Sequence, residues 1–206
     1  FAYWIDGNGR IVGPPRFKPC QEGRIFSELV RLNHIINSTP LCRTEAVRAV
    51  GGWDEAIFTT ADWELWLKLS KNGEVAFIPE VLARTRMASY YNARNIDKTR
   101  QEWLYVLDKH RVDLPPGAYE VSLAHMGYYL SRLHAANDDY AAALREAEEG
   151  LKALPGDASL NRARFIYSLG GPTNRVVSRL WHCYTLLSCR WNILRQGSKI
   201  HPIEAP

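Results

Sequence analysis

The hydrophobic period changes partway along the chain, and this change limits the possible folds more than any other feature. From about Ile96 onward, apolar residues recur every three or four positions, the spacing of one helix face after another. Helices are expected near 95–111, 117–135, 139–153, 157–169 and 174–195. Before Ile96 the pattern is mixed, with short extended runs alternating with short helices and turn residues. The run "DLPPG" at 113–117 has hinge composition and is placed between an α/β part and an all-helical part.

Within the mixed part, residues 1–13, "FAYWIDGNGRIVG", read as two short strands around Asp6-Gly7-Asn8-Gly9. Residues 24–32 suit an amphipathic helix, and 38–43 read as extended. Residues 44–50 predict a helix capped by Thr44 and stopped by Gly51-Gly52. A stronger helix is predicted from about Ala61 to Lys71. Trp63, Trp66, Leu67 and Ser70 share one face, Leu65 and Leu69 widen it, and Asn72-Gly73 ends it. Residues 74–79, "EVAFIP", read as a buried strand, and 80–86 as a further extended segment.

The chain has 206 residues and a net charge of +4 with no basic run, which gives no footprint for nucleic acid. Cys20, Cys42, Cys183 and Cys189 show no ligand spacing and read as reduced thiols of a cytosolic protein. No run of about 18 uncharged apolar residues predicts a membrane span. The segment 174–199 is different. Val176, Leu180, Leu187, Trp191 and Leu194 make an apolar face ringed by Arg175, Arg179, Arg190, Arg195 and Lys199. It reads either as a helix lying in a membrane interface or as one docked on the preceding hairpin.

Asp62 is the residue with most chemical promise. A carboxylate in the first turn of a helix is stabilised by the helix dipole, by about 0.3–1 kcal/mol. Thr59 or Thr60 is placed to cap the same turn. A fixed carboxylate there also suits a general base. The residues alone leave both readings open.

The order of motifs adds a further argument. Asn33, Ile35, Ser38, Thr39 and Arg43 are followed by "GGWDE" (51–55), "ADWELWLKL" (61–69) and "FIPEVLARTR" (77–86). Over residues 1–95 this series resembles the acceptor half of the family 2 glycosyltransferases, inverting enzymes with a GT-A (nucleotide-diphospho-sugar transferase-like) fold. The resemblance implies an α/β class: a partial GT-A domain at 1–95 followed by an all-α region at 96–206. It implies Asp62 as catalytic base and Ser38, Thr39, Gly52, Trp53, Asp54 and Trp63 as acceptor-binding residues. Arg86 would lie on the donor phosphate side.

The implied substrates are a nucleotide-sugar donor and a hydroxyl of a surface polysaccharide or lipid-linked glycan, in a bacterial cell. The implied location is cytoplasmic, peripheral on the inner face of the membrane. Mg²⁺ or Mn²⁺ is expected in the complete enzyme, held by a DxD pair in a nucleotide-binding half upstream of Phe1, and no metal ligand is assigned in this chain. Ala61 stands where the family often has an acidic residue, and Ala88 where it often has histidine. Leu187 stands where the processive signature QxxRW needs glutamine, so addition of a single sugar is expected.

The helical part carries its own resemblance. "GYYLSRLHAANDDYAAALREAEEGLKALPGD" resembles one tetratricopeptide repeat, with Leu130, Ala143 and Pro155 at matching positions. One such hairpin cannot cover its own apolar face, so neighbouring helices are expected to supply further layers. A non-catalytic protein-interaction module on a truncated scaffold is the alternative from another class, and a membrane-surface adaptor is a third.

Overall fold

The computed structural model describes residues 2–12, 22–86, 95–169, 173–174 and 176–177. These residues form a mixed, mostly helical fold with one small sheet. Strand β1 (Ala2–Ile5) pairs in parallel with β2 (Ala83–Arg86), in the register Ala2 to Ala83 and Ile5 to Arg86. Between them lie α1 (Phe26–Arg31), α2 (Thr44–Ala49) and α3 (Ala61–Asn72). After β2 come α4 (Ile96–Lys109), a 3₁₀ turn (Arg111–Asp113), α5 (Ala118–Ala136), α6 (Tyr140–Ala153) and α7 (Ala158–Ser168).

Several local signals act as expected. Gly51 and Gly52 stop α2 with φ of +81° and +67°, a conformation that costs glycine little and side-chain-bearing residues more. Asp6 turns the chain after β1 by accepting from the amides of Asn8 and Arg10. The arm beyond this turn contributes only a bridge between Ile5 and Ile11, and not a second strand.

Three expectations need correction. Residues 74–79 are not a buried strand. Among the described residues only Val75 bridges, to Gly23, and Ile78 is 58% exposed, because β1 pairs with β2 and this segment lies outside the sheet. Thr44 is the first helical residue and not the cap, since Arg43 holds the cap position without a side-chain bond. At α3 the cap position is Thr60, which also makes no side-chain cap bond.

One apolar cluster joins the two halves of the described chain. Leu29 and Val30 of α1, Trp63, Leu65 and Leu67 of α3, Trp103, Val106 and Leu107 of α4, and Met126 and Leu130 of α5 pack together. The 113–117 segment therefore connects helices that share a core. Trp63 and Trp103 meet at 5.1 Å between ring centroids, and the Trp103 indole N–H donates to Ser122 of α5 at 3.0 Å. A buried indole that finds both ring contacts and an acceptor loses little on leaving water.

A second cluster lies between α5, α6 and α7 around Ala143, Ala147, Leu160 and Ala163. Asp139 and Asp157 cap α6 and α7 by accepting from Ala142 and Leu160 amides at 3.0 and 2.7 Å. Each such cap contributes on the order of 1 kcal/mol. Helix α7 thus covers the apolar face that a single hairpin leaves open. The expected helix at 174–195, with its interface face, lies outside the described residues except for 174, 176 and 177. Cys20, Cys183 and Cys189 lie outside them as well.

Candidate functional site: the entry to helix α3

Asp62 sits in the first turn of α3, half-buried. Its Oδ1 accepts from the Trp63 amide at 2.6 Å and, at a longer 3.4 Å, from the side-chain amide of Asn33. Its own backbone amide also favours the carboxylate, and among the described residues no cation pairs with it. Burial pushes the Asp62 pKa up, against the lowering effect of the Trp63 amide and Asn33. The carboxylate is thus anchored through Oδ1 and made more basic by its surroundings. Asn33 is itself fixed, since its side-chain oxygen accepts from the Ile35 amide at 3.1 Å.

The other expected residues fall into two groups. Gly52, Trp53 and Asp54 lie on the loop that leads into α3 and are tied to that helix. Lys68 donates to the Gly52 carbonyl at 2.6 Å, and Trp53 meets Trp66 edge-on with centroids 6.1 Å apart. Trp53 remains 48% exposed, which leaves a ring face open to solvent. Asp54 caps its own turn by accepting from the Ala56 amide at 2.9 Å, while its Oδ2 accepts from Lys109 at 2.5 Å and Tyr105 at 3.0 Å. Lys109 and that amide hold the Asp54 carboxyl at about 2.

Trp63, Ser38, Thr39 and Arg86 are placed differently. Trp63 is 2% exposed, and its indole N–H donates to the Leu29 carbonyl at 2.6 Å, so it belongs to the core under the site. Ser38 is exposed, while the Thr39 hydroxyl closes a turn on the Ile36 carbonyl at 2.8 Å. Arg86 is exposed at the end of β2 and donates to the carbonyls of Asp6 and Gly7 at 2.9 and 2.7 Å. Its guanidinium straps the turn after β1.

Sequence reasoning missed Glu64, Glu102 and Lys109. Glu64 is fully buried in α3 and pairs with Lys109 at 2.8 Å and Lys68 at 3.0 Å. Burial alone would raise its pKa, but contacts with His110, Lys109 and Lys68 outweigh it and bring the carboxyl to about 2. Glu102 of α4 accepts from the amides of Phe58, Thr59 and Thr60 at 3.0, 2.6 and 3.2 Å, and from the Thr59 hydroxyl at 2.5 Å. It anchors the loop that leads into α3, up to the cap position Thr60. The i,i+4 spacing of Glu64 and Lys68 was a readable signal; nothing local pointed to Glu102, which lies more than forty positions from the amides it binds.

Among the described residues no group of three or more His, Cys, Asp or Glu side chains could hold a metal ion. Asp54 is taken by Lys109, and Asp62 has Ala61 rather than a second carboxylate beside it, so these residues do not fit a divalent ion, whose ligands the resemblance places upstream of Phe1. No helix among the described residues is long and apolar enough to cross a membrane. Comparison with protein-family models, curated proteins and solved structures finds no match to this chain.

Proposed function

We propose that this chain carries the acceptor side of an inverting glycosyltransferase of GT-A type, with Asp62 as the general base. The observation that carries the reading is the state of the Asp62 carboxylate: half-buried, without a cation among the described residues, anchored through Oδ1 and raised in basicity by burial. In an inverting transfer the acceptor hydroxyl oxygen forms a bond to the anomeric carbon while the bond to the nucleoside diphosphate breaks. The hydroxyl proton passes to the base, and the diphosphate leaves with the bonding electrons. A carboxylate whose pKa is shifted upward toward the working pH suits that proton transfer. The hydrogen bond between Asn33 and Asp62 supports the reading further, because it joins two separate pieces of the motif series.

On this reading the exposed face of Trp53 is where an acceptor sugar ring would stack, with Gly52 setting the close approach of the backbone. Trp63 acts from beneath, by fixing α3 on α1. Arg86 orders the β1 turn, and its remaining donors are what a donor phosphate would meet. The acceptor would be a polysaccharide or lipid-linked glycan, met at the inner face of a bacterial membrane.

The test is to incubate the full protein with a panel of labelled nucleotide sugars and a membrane glycolipid extract. The expected result is a labelled glycan whose anomeric configuration is opposite to that of the donor. Absence of transfer from every donor, with the protein folded, overturns the reading. A non-catalytic interaction module is the second reading, and the layered α5–α7 stack, which leaves Phe165 64% exposed, is the observation in its favour.

A further inference from the structure

One face of α4 grips the loop that enters α3 along most of its length. Lys98, Glu102, Tyr105 and Lys109 follow one another at spacings of four, three and four, so they line one side of the helix. Lys98 lies over the Phe58 ring, 5.7 Å from its centroid, and pairs with Glu102 at 3.7 Å. Glu102 takes the Phe58, Thr59 and Thr60 amides. Tyr105 and Lys109 take Asp54, and Lys109 continues to Glu64 inside α3. Among the described residues, the side-chain anchors of the 54–60 loop thus run to α4, apart from the local Asp54–Ala56 turn.

The Glu102 contacts bear most directly on chemistry. The amides that Glu102 binds belong to the last loop residues before α3, up to the cap position Thr60, so the carboxylate fixes the direction in which the first turn leaves. Here that turn carries Asp62. Glu102 is almost fully buried with its four donors, and the low local dielectric makes such bonds strong and their loss costly. The groups that face Asp62, namely Asn33 from the segment after α1 and the Trp63 amide, are neutral, so Glu102 reaches Asp62 through the geometry of the turn and not by a charge contact.

We propose that Glu102 is a positioning residue for the reaction at Asp62, holding the first turn of α3 so that the carboxylate stays half-buried and anchored through Oδ1. This rests on the reading of Asp62 as base and adds to it that the base-side site is incomplete without α4, a helix beyond the stretch that carries the glycosyltransferase motifs.

The experiment is a carbon-13 carboxyl NMR titration of Asp62 in the full chain and in Glu102→Gln, with amide hydrogen exchange at 58–60 read on the same samples. In the parent, Asp62 is expected to titrate above the ordinary aspartate range. In Glu102→Gln, exchange at 58–60 speeds up and the Asp62 midpoint falls toward the ordinary range, because the loosened turn lets water reach the carboxylate. If exchange speeds up while the midpoint stays at the parent value, Glu102 is only a stabilising cap and the proposal is overturned. If Asp62 of the parent titrates in the ordinary range, the base reading falls and this one with it. Should Glu102→Gln not fold, Glu102→Asp keeps the charge but withdraws it by one methylene; a midpoint equal to the parent's then overturns the proposal.

Discussion

The close approach of α5 and α6 can be tested with two glycine substitutions that differ only in what they meet. A Cβ at Gly127 would lie 2.8 Å from the Glu146 carbonyl oxygen, 2.8 Å from the Gly150 Cα and 2.9 Å from the Gly150 nitrogen. All three are backbone atoms of α6, so relief requires the helices to part. Overpacking of this kind costs about 1–3 kcal/mol. Alanine regains about 1 kcal/mol of helix propensity over glycine. Since rigid backbone forces the cost toward the upper part of that range, Gly127→Ala is expected to lose about 1–2 kcal/mol net.

Gly150→Ala meets the ends of the Leu160 side chain at 2.9 and 3.0 Å and the Ala124 carbonyl at 3.2 Å. A leucine end can turn aside, so the propensity gain roughly cancels the cost. Urea unfolding followed by far-UV circular dichroism reads both, and at this size about 1 kcal/mol appears as a 2–4 °C shift in Tm. A Gly127→Ala protein as stable as its parent would refute the reasoning, as would a Gly150→Ala protein that loses more than Gly127→Ala.

Two further expectations concern the loop and its anchors. Asp54 is lowered from 3.8, and Glu64 from 4.5, each to about 2, so their stabilising contribution is complete above the unfolded values and is lost as pH falls through about 2. Lys109→Met should flatten that part of the stability–pH curve; equal slopes for parent and variant count against the Lys109 bridge. Removing one partner of a fully buried pair costs about 3–5 kcal/mol, and because Lys109 is itself exposed and Lys68 stays on Glu64, Lys109→Met should lose about 1–2 kcal/mol in urea unfolding at neutral pH. Trp53→Ala should lose about 1 kcal/mol at most, from its contact with Trp66, while raising KM for acceptor several-fold with kcat nearly unchanged. An unchanged KM would remove Trp53 from the acceptor surface.

Much of the helical layout was legible because its signals are local. Gly51-Gly52 marked the end of α2, and the tryptophan–leucine face with Asn72-Gly73 placed α3 to within a residue. Pro155 and the aspartates at 139 and 157 likewise mark where α6 and α7 begin or end. The segment 74–79 misled because a short continuous apolar run resembles a buried strand wherever it occurs, but pairing depends on a distant partner. That partner choice links residues about eighty apart, β1 with β2, and no local pattern encodes it.

The candidate site divides along the same line. Asp62 was legible as a first-turn carboxylate, and its approach to Asn33 joins motif pieces that sequence order had aligned. Trp63 was read for its flat face, yet its N–H is committed to the Leu29 carbonyl, a contact set by how α1 crosses α3. Thr59 and Thr60 looked like caps by residue type. Instead their amides are bound by a glutamate from another helix, and that follows only from tertiary packing.

The most direct test of the account is the transfer rate of Asp62→Asn beside that of the parent, in the full protein and with the same donor and acceptor. Asparagine keeps an oxygen for the Trp63 amide, so the fold should be unchanged by circular dichroism. With the base removed, the rate is expected to fall about 10²–10⁴-fold, the usual contribution of a positioned acid–base group. A folded Asp62→Asn protein that keeps most of the parent's rate would contradict the account and leave Asp62 as a structural carboxylate of the first turn of α3.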